Sequence, residues 1–339
     1  MELIRKQAFA RAGLIGNPSD GYHGKTISIG LGNLWAKVSL YEWEQVEIIW
    51  SQEDRSRFDS IEQLADDVVL HGYYGGVRLV KATIKLFVDY CRRENISLHD
   101  QNFSVRYESN IPRQVGLAGS SAIIIATLRC LMEFYDVQIP LDVQPSLALA
   151  VEREELGIGA GLQDRVSQVY QGAVFMDFGE AKMHHKQGFA CGEYEPLDVA
   201  QLPPLYVAYS TNESEPTEVV HNDLRARYER GDAGVIAAMQ QFAEITVAAR
   251  TAINEGDSAT FGQLIDKNFD LRRSICNVAS GQERMVQVAR EAGATAKFAG
   301  SGGAIIGTLP HEETFERLVE KLGPLDCRVI RPEFVASLA

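Results

Sequence analysis

The residues with the clearest chemical potential lie in a glycine-rich loop that runs into an apolar, helix-like segment. Gly116 and Gly119 permit backbone angles that other residues avoid, so the loop can turn its N–H groups around an anion. Ser120 and Ser121 stand just before the apolar run 123–134, where a helix N-terminus is predicted, with unpaired N–H donors and a positive dipole end. The combination predicts a cradle for nucleotide phosphates. The alternative is a structural loop with a serine N-cap.

The overall charge argues against a polyanionic partner. The chain has 339 residues, with 33 basic and 46 acidic side chains and a net charge of −13. No general positive field exists, so we expect no nucleic acid and no anionic membrane as partners. An anionic ligand must be bound by local groups, and the length predicts about two domains.

The five cysteines and the termini suggest an intracellular protein. The cysteines are odd in number, far apart and without a Cys-x-x-Cys pair, which disfavours a disulfide framework and a zinc site. We find no signal-length or membrane-length apolar run and expect a cytoplasmic protein. His184 and His185 have no acidic or cysteine partner at ligand spacing, so we interpret them as a surface turn rather than a metal site.

The elements that must position the loop are mixed strands and helices without a βαβ rhythm, which favours an α+β fold. Composition shifts to Gly, Pro and acidic residues over 188–204, so we divide the chain into domains 1–190 and 191–339. Strands are predicted from clustered β-branched and aromatic residues, at Thr26–Gly30, Leu34–Tyr41, Gln45–Trp50, Phe103–Glu108 and Arg328–Arg331. Helices are predicted from apolar spacing, at Ser60–Val69, Val77–Glu94, Gln144–Leu156, Leu224–Glu229, Val235–Asn254, Thr260–Cys276, Gln282–Glu291 and Glu312–Leu322.

The order of residues in the loop adds a family resemblance. Pro112, three residues, Gly116-Leu117, one residue (Ala118) and Gly119-Ser120-Ser121 resemble the second motif of the GHMP kinases. In that family this loop wraps the ATP triphosphate, so the resemblance implies that the chain binds ATP with Mg²⁺. It also implies a two-domain fold, with an N-terminal domain like ribosomal protein S5 domain 2 and a ferredoxin-like C-terminal domain.

Two further motifs of that family stand in the right order. Residues 11–20 resemble the first motif of the sugar-kinase branch, with Asn17 and Pro18 as departures from it. The resemblance implies that Asp20 binds a sugar hydroxyl and that Arg11 lies beside the reacting hydroxyl. Residues 297–304 resemble the third motif, whose Gly302 is then expected at the substrate.

An acidic pair supplies the remaining chemistry. Glu152 precedes Asp164 by twelve residues, which matches the galactokinase spacing between the metal-associated carboxylate and the base. Mg²⁺ bound to ATP needs few protein oxygens, and Glu152 with Ser121 would suffice. Asp164 is expected to accept or orient the proton of the substrate hydroxyl. Glu154 is expected to be a solvated helix residue.

Narrower features resemble the plant glucuronokinase branch, including residues 73–79, 111–114, 160–166 and 268–273. The resemblance implies phosphorylation of the anomeric hydroxyl of D-glucuronate, a sugar acid whose carboxylate needs a local cation. Four cations are candidates and the sequence does not choose among them: Lys25, Arg113, Arg165 and Arg272. Alternatives are another sugar, uronate or heptose as substrate, or a non-catalytic binding protein of the same fold. The oligomeric state is not predicted.

Overall fold

The structure of the chain is a computed structural model that describes residues 3–49, 76–211 and 218–338. The predicted helix Ser60–Val69 and residues 73–75 of the branch-specific motif lie outside these ranges. Among the described helices, none combines the length and the apolar character that a membrane crossing requires. The expected cytoplasmic location stays a prediction.

Strands and helices alternate irregularly along the chain, as the α+β prediction requires. The strands are β1 (Leu3–Ile15), β2 (Lys25–Trp43), β3 (Glu47–Ile49), β4 (Asn102–Ser109), β5 (Ala173–Asp177), β6 (His184–Lys186), β7 (Phe189–Cys191), β8 (Glu193–Leu197), β9 (Leu205–Ser210), β10 (Lys297–Phe298), β11 (Ala304–Thr308) and β12 (Cys327–Ile330). The helices are α1 (Gly76–Arg93), α2 (Gly119–Phe134), α3 (Gln144–Ala150), α4 (Leu162–Tyr170), α5 (Glu218–Glu229), α6 (Ala233–Glu255), α7 (Ser258–Ile275), α8 (Ser280–Glu291) and α9 (Glu312–Leu322).

The first sheet is built around the long strand β2. Strand β1 pairs with one edge of β2, while β4 and β5 share the other edge. The prediction of two strands here is wrong, because β2 continues through residues 31–34. The register against β1 shifts at Phe9/Ala10, so the chain forms a bulge rather than a break. The N–H of Gly32 in this bulge donates to the carbonyl of Glu333 at 2.7 Å.

The second sheet has the strand order β10-β11-β9-β12 and is antiparallel throughout. Numbered within this half of the chain, the order reads 4-1-3-2 from the last strand, which is the ferredoxin-like arrangement. Its buried core is lined by α7, α8 and α9, with Phe269, Met285 and Leu318 among the contributing side chains. This confirms the predicted fold class for the C-terminal half.

Most of the predicted helices are confirmed, and capping residues mark where they begin and end. Asp232 caps α6, its Oδ1 accepting from the N–H of Gly234 at 3.0 Å and of Val235 at 3.2 Å. Gly256 ends α6 with a left-handed φ of 68°. The predicted helix 144–156 begins correctly but changes to a π-helical turn over 151–155.

The division into domains is refined by the sheets. Strand β8 still pairs with β5 of the first sheet, and the second sheet begins at β9. The predicted boundary at 190/191 falls inside β7, because the composition shift marks a surface hairpin rather than the change of sheet. We propose residues 198–204 as the boundary. The five cysteines are free thiols, and Cys91, Cys130 and Cys191 are buried.

Candidate active site

The glycine-rich loop alternates left-handed residues before α2 begins. Gln114, Gly116 and Ala118 have φ values of 57°, 70° and 62°. The expectation of an unusual angle at Gly119 is wrong, because Gly119 is the first residue of α2 and Ala118 takes the left-handed position at its N-cap. A β-carbon on Gly119 would meet only Ile111, at an ordinary 3.5 Å. The protein itself therefore does not require glycine at 119.

Hydrogen bonds to its carbonyl groups fix the end of this loop. Gln168 Nε2 donates to the carbonyl of Ala118 at 2.7 Å, and the buried Ser121 Oγ donates to the same oxygen at 3.3 Å. Leu117 is buried, and its carbonyl accepts the N–H of Arg11 at 3.1 Å. Pro112 is half-buried at the start of the loop. The Ser121 hydroxyl is therefore buried against the backbone of the loop.

Ser120 begins a chain of polar contacts that ends at a buried ion pair. Its Oγ donates to Glu152 Oε1 at 2.7 Å, and Glu152 Oε2 forms an ion pair with Arg165 Nη2. Arg165 Nη1 also donates to the carbonyl of Gly161 at 2.7 Å. The two charged side chains are 1% and 4% exposed. Burial, followed by the nearby charge of Arg11, lowers the pKa of Arg165 to about 9.

A second ion pair joins β1 to α4. Arg11 Nη2 pairs with Asp164 Oδ1, and Arg11 Nη1 donates to the carbonyl of Ala299 at 2.7 Å. Asp164 Oδ2 lies 3.5 Å from Arg165 Nη1. The Asp164 side chain stays 24% exposed between these two guanidinium groups. It is therefore a carboxylate of fixed orientation with one side open to a ligand.

Asp20 completes the cluster from the short helical turn 19–22. A β-carbon on Gly161 would stand 2.5 Å from Asp20 Oδ2, so the carboxylate lies directly against the start of α4. Burial and then the negative charge of Asp164 raise the pKa of Asp20 to about 6, against the opposing charge of Arg11. The two carboxylates and Arg11 thus lie in one cluster.

The raised pKa of Asp20 predicts a pH-dependent cost in stability. The folded state favours the neutral carboxyl, so the cost of ionising it develops as the pH rises from about 3.8 to about 6 and is fully present above that value. We expect an Asp20→Asn variant to melt at a higher temperature than the wild type at about pH 8, with a smaller difference at about pH 5. Melting curves at both values test this. A difference that grows on acidification would contradict it.

The third glycine stretch, residues 300–303, closes on the first loop. A β-carbon on Gly300 would stand 2.1 Å from the carbonyl oxygen of Gly116, and one on Gly116 would stand 2.8 Å from that of Gly302. Gly302 has a φ of 154°, and a β-carbon there would meet Gln282 at 2.4 Å. The two loops approach so closely that side chains are excluded between them.

Buried cations hold this third stretch in place. Arg272 donates to the carbonyls of Gly300 at 2.8 Å and Ser301 at 3.0 Å. The ammonium of Lys297 donates to the carbonyl of Gly13 and to Asn17 Oδ1, both at 2.6 Å, and to the carbonyl of residue 298. Asn17, a departure from the sugar-kinase motif, is therefore a partner of Lys297. Burial lowers the pKa of that lysine well below its usual range.

Three of the four candidate cations for a substrate carboxylate make other contacts within the protein. Arg272 holds the third glycine stretch, and Arg165 pairs with Glu152. The ammonium of Lys25 forms an ion pair with Asp177. Arg113 is exposed on the glycine-rich loop.

Arg225, which the sequence analysis did not single out, lies on helix α5 near the turn that carries Asp20. Tyr22 of that turn packs against Tyr228 of α5, with ring centroids 4.8 Å apart. Arg225 lies three residues before Tyr228, so the two share a face of the helix. Arg225 is exposed, and its charge acts on the Tyr22 hydroxyl, lowering a pKa that burial raises. No sequence signal marks it, because the contact depends on how α5 docks.

Comparison with known proteins agrees with this arrangement. The family model for the GHMP kinases N terminal domain matches residues 78–172. The chain is 43% identical to glucuronokinase 1 and 44% identical to probable glucuronokinase 2 of Arabidopsis thaliana, covering 96% of this chain and 89% and 88% of theirs. The crystal structure of Lactococcus lactis galactokinase with galactose superposes with a TM-score of 0.77 at 16% identity, over 98% of this chain and 94% of that one.

The structural likeness shows a shared fold, while the two plant relatives share nearly half of their residues with this chain along almost its whole length. Both the matched N-terminal domain and the second, ferredoxin-like sheet fit that relationship. The chain therefore belongs to the GHMP kinases, a family of phosphotransferases.

Proposed function

We propose that the protein transfers the γ-phosphoryl group of ATP to the anomeric hydroxyl of D-glucuronate, giving glucuronate 1-phosphate and ADP. The observation that supports this chemistry is the position of the Asp164 carboxylate, which lies between Arg11 and Arg165 and close enough to Asp20 to raise its pKa. The similarity to glucuronokinase 1 and probable glucuronokinase 2 of Arabidopsis thaliana supports the choice of substrate. In this reaction the sugar oxygen forms the new P–O bond, the β–γ bridge breaks, and the hydroxyl proton passes toward Asp164.

The residues around the glycine-rich loop fit a nucleotide with its metal. The left-handed φ values at positions 114, 116 and 118 alternate along the loop, the kind of backbone that forms anion-binding nests. Ser120 Oγ and Glu152 Oε1, 2.7 Å apart, offer the hard oxygen donors that Mg²⁺ takes. We expect Ser120, rather than the inward-facing Ser121, to share the metal with Glu152. The metal would neutralise charge on the phosphate oxygens.

Arg11 and Asp164 would act on the acceptor. The carboxylate is oriented by its pair with Arg11, so it can accept or align the sugar hydroxyl without rotating. Asp20 lies beside it and would accept hydrogen bonds from a further sugar hydroxyl. Gly302, from the second half of the chain, lies against the glycine-rich loop through its contact with Gly116 and would approach the substrate from that side.

A panel assay tests the assignment. The protein is incubated with ATP and Mg²⁺ and with glucuronate, galacturonate, glucose, galactose or a heptose, while ADP and new phosphate esters are followed. We expect glucuronate to be phosphorylated far better than glucose. Equal kcat/KM for glucose would remove the uronate assignment but leave the kinase. Binding of ATP without turnover of any sugar would favour the non-catalytic alternative.

The loop itself is tested by a pair of glycine variants. Gly119→Val adds a side chain whose β-carbon would meet only Ile111, at an ordinary contact distance, so an approaching phosphate would be its main obstacle. We expect a weaker ATP affinity with a nearly unchanged melting temperature. Gly116→Val serves as the contrast, because its φ of 70° and its contact with Gly302 predict a loss of stability as well. Unchanged ATP binding in Gly119→Val would show that the phosphates do not approach this residue.

We further propose Arg225 as a cation for the substrate carboxylate. It lies on the helix face that packs on the Asp20 turn, is exposed, and shares no ion pair with any described carboxylate. Arg165, Arg272 and Lys25 already make other ionic or carbonyl contacts. An arginine offers a planar fork suited to a carboxylate.

Replacing Arg225 by glutamine is expected to raise KM for glucuronate by about 10- to 100-fold, because a charge-assisted hydrogen bond contributes about 1.5–3 kcal/mol. KM for ATP should not change. The preference for glucuronate over glucose, measured as a ratio of kcat/KM, should fall by the same factor. Arg113→Gln is the matched comparison on the nucleotide side. If that variant loses the preference and Arg225→Gln keeps it, Arg113 binds the carboxylate instead.

A further inference from the structure

The pair of histidines that the sequence analysis interpreted as a surface turn has ligand-type neighbours in space. In the β6–β7 hairpin His184 stands directly opposite Cys191, so both side chains project from the same face. Asp142, just before α3, lies on that face, with its Oδ2 3.7 Å from His184 Nε2. One donor atom from each of these three residues lies within 4.8 Å of the others. The structure places His184 and His185 on an exposed strand rather than in a turn, and the neighbours of His184 are distant from it in sequence.

The donor set is that of a transition-metal site. Imidazole nitrogen, thiolate sulfur and carboxylate oxygen are the three donor types that Zn²⁺ accepts, and three protein ligands with one water complete its tetrahedron. Bond lengths of about 2.0–2.3 Å place tetrahedral donors roughly 3.3–3.7 Å apart. The separation of His184 and Asp142 is 3.7 Å, and Cys191, within 4.8 Å of both, needs to approach by at most about 1 Å. We propose that Asp142, His184 and Cys191 form a binding site for Zn²⁺.

The surroundings favour such a site and explain how it would open. Cys191 is fully buried on a strand that Ser146 of α3 anchors, its Oγ donating to the carbonyl of Ala190 at 2.6 Å. Both oxygens of Asp142 accept from Lys186, at 2.8 and 2.9 Å. The Lys186 side chain is 44% exposed, so it can turn into solvent when a cation takes its place. Binding would release the thiol proton to solvent.

A bound ion would join the hairpin to the start of α3, whose π-helical continuation carries Glu152. The cluster shares no residue with the kinase site, so the consequence is structural. Metal binding should raise the melting temperature without being required for phosphoryl transfer.

Co²⁺ is the probe, because a thiolate ligand gives a charge-transfer band and a tetrahedral site gives intense visible bands. The full-length protein is titrated without nucleotide and then back-titrated with Zn²⁺. We expect both bands, in a one-to-one complex that Zn²⁺ displaces. Cys191→Ser should abolish the charge-transfer band, and His184→Gln should weaken binding by at least about tenfold. Lys186→Gln should tighten it by removing the competitor for Asp142.

His185→Gln is the matched control, because His185 is exposed and points to the opposite face of the hairpin. It should bind Co²⁺ like the wild type. If Cys191→Ser does not fold, His184→Gln and Lys186→Gln, both at exposed positions, still decide the question. Absence of the charge-transfer band in the wild type would overturn the proposal, as would an equal band in Cys191→Ser or equal weakening in His184→Gln and His185→Gln.

Discussion

An Asp164→Asn variant is expected to lose at least about 100-fold in kcat, because general-base contributions are typically ~10²–10⁴-fold. The substitution removes the charge and the proton acceptor while it preserves size. Two carbonyl groups of the glycine-rich loop accept hydrogen bonds, one from the Gln168 side chain and one from the backbone N–H of Arg11. Neither donor pairs with Asp164, so ATP affinity should stay near that of the wild type. Steady-state turnover and nucleotide titration on one preparation measure both quantities.

The structure adds a cost that the sequence did not predict. Arg11 is 7% exposed at its side chain and would lose its negative partner, although Nη1 would still donate to the Ala299 carbonyl. Removing one partner of a buried pair costs about 3–5 kcal/mol, and the partial exposure of Asp164 reduces this figure. We therefore expect a lower melting temperature than that of a surface control, Asp100→Asn.

Two outcomes would change the assignment. If the Asp164→Asn protein keeps most of its kcat, Asp164 does not serve as base, and Glu152 and Asp20 become the carboxylates to test. If kcat and ATP affinity fall together by the same factor, the defect lies in the shape of the site rather than in proton transfer. The melting temperature of each preparation distinguishes that second case from partial unfolding.

Local signals explain what the sequence predicted well. The helix Glu312–Leu322 was predicted with the bounds that the structure has, because its apolar spacing and the turn residues around it are contained within a dozen residues. Asp20, Arg11 and Asp164 were each expected at the substrate, and the structure places the three side chains in one cluster. These residues come together because β1, the turn after it and α4 meet at one edge of the first sheet.

Contacts between distant segments explain what the sequence could not predict. Whether Ser120 or Ser121 meets Glu152 depends on the π-helical turn over 151–155, which no local pattern indicated. Lys25 was a free candidate in the sequence, yet it pairs with Asp177, 152 residues later. The break between two strands that was predicted after residue 30 is a bulge within β2. Its Gly32 N–H donates to the carbonyl of Glu333, far along the chain.

Changing Glu152 to glutamine is expected to damage both stability and catalysis. The substitution removes the buried carboxylate that pairs with Arg165 and leaves the more distant Asp164, at 3.5 Å, as its remaining anionic neighbour, so we expect a loss of up to about 3–5 kcal/mol. It also removes the charged oxygen donor beside Ser120, so turnover should need more Mg²⁺ than in the wild type. Melting curves and the Mg²⁺ dependence of kcat measure the two effects. Glu154→Gln, two residues away and exposed, is the matched control.

A double variant separates the two roles of Glu152. Replacing both partners of a buried pair by groups of similar volume without charge is often neutral or stabilising, whereas removing one partner is costly. Glu152→Gln combined with Arg165→Met should therefore recover much of the lost melting temperature. Turnover should stay low, because the amide oxygen of glutamine carries no charge with which to hold the metal. Recovery of both would mean that Glu152 serves only to neutralise Arg165, and a single variant as stable as Glu154→Gln would mean that the buried pair does not hold the site together.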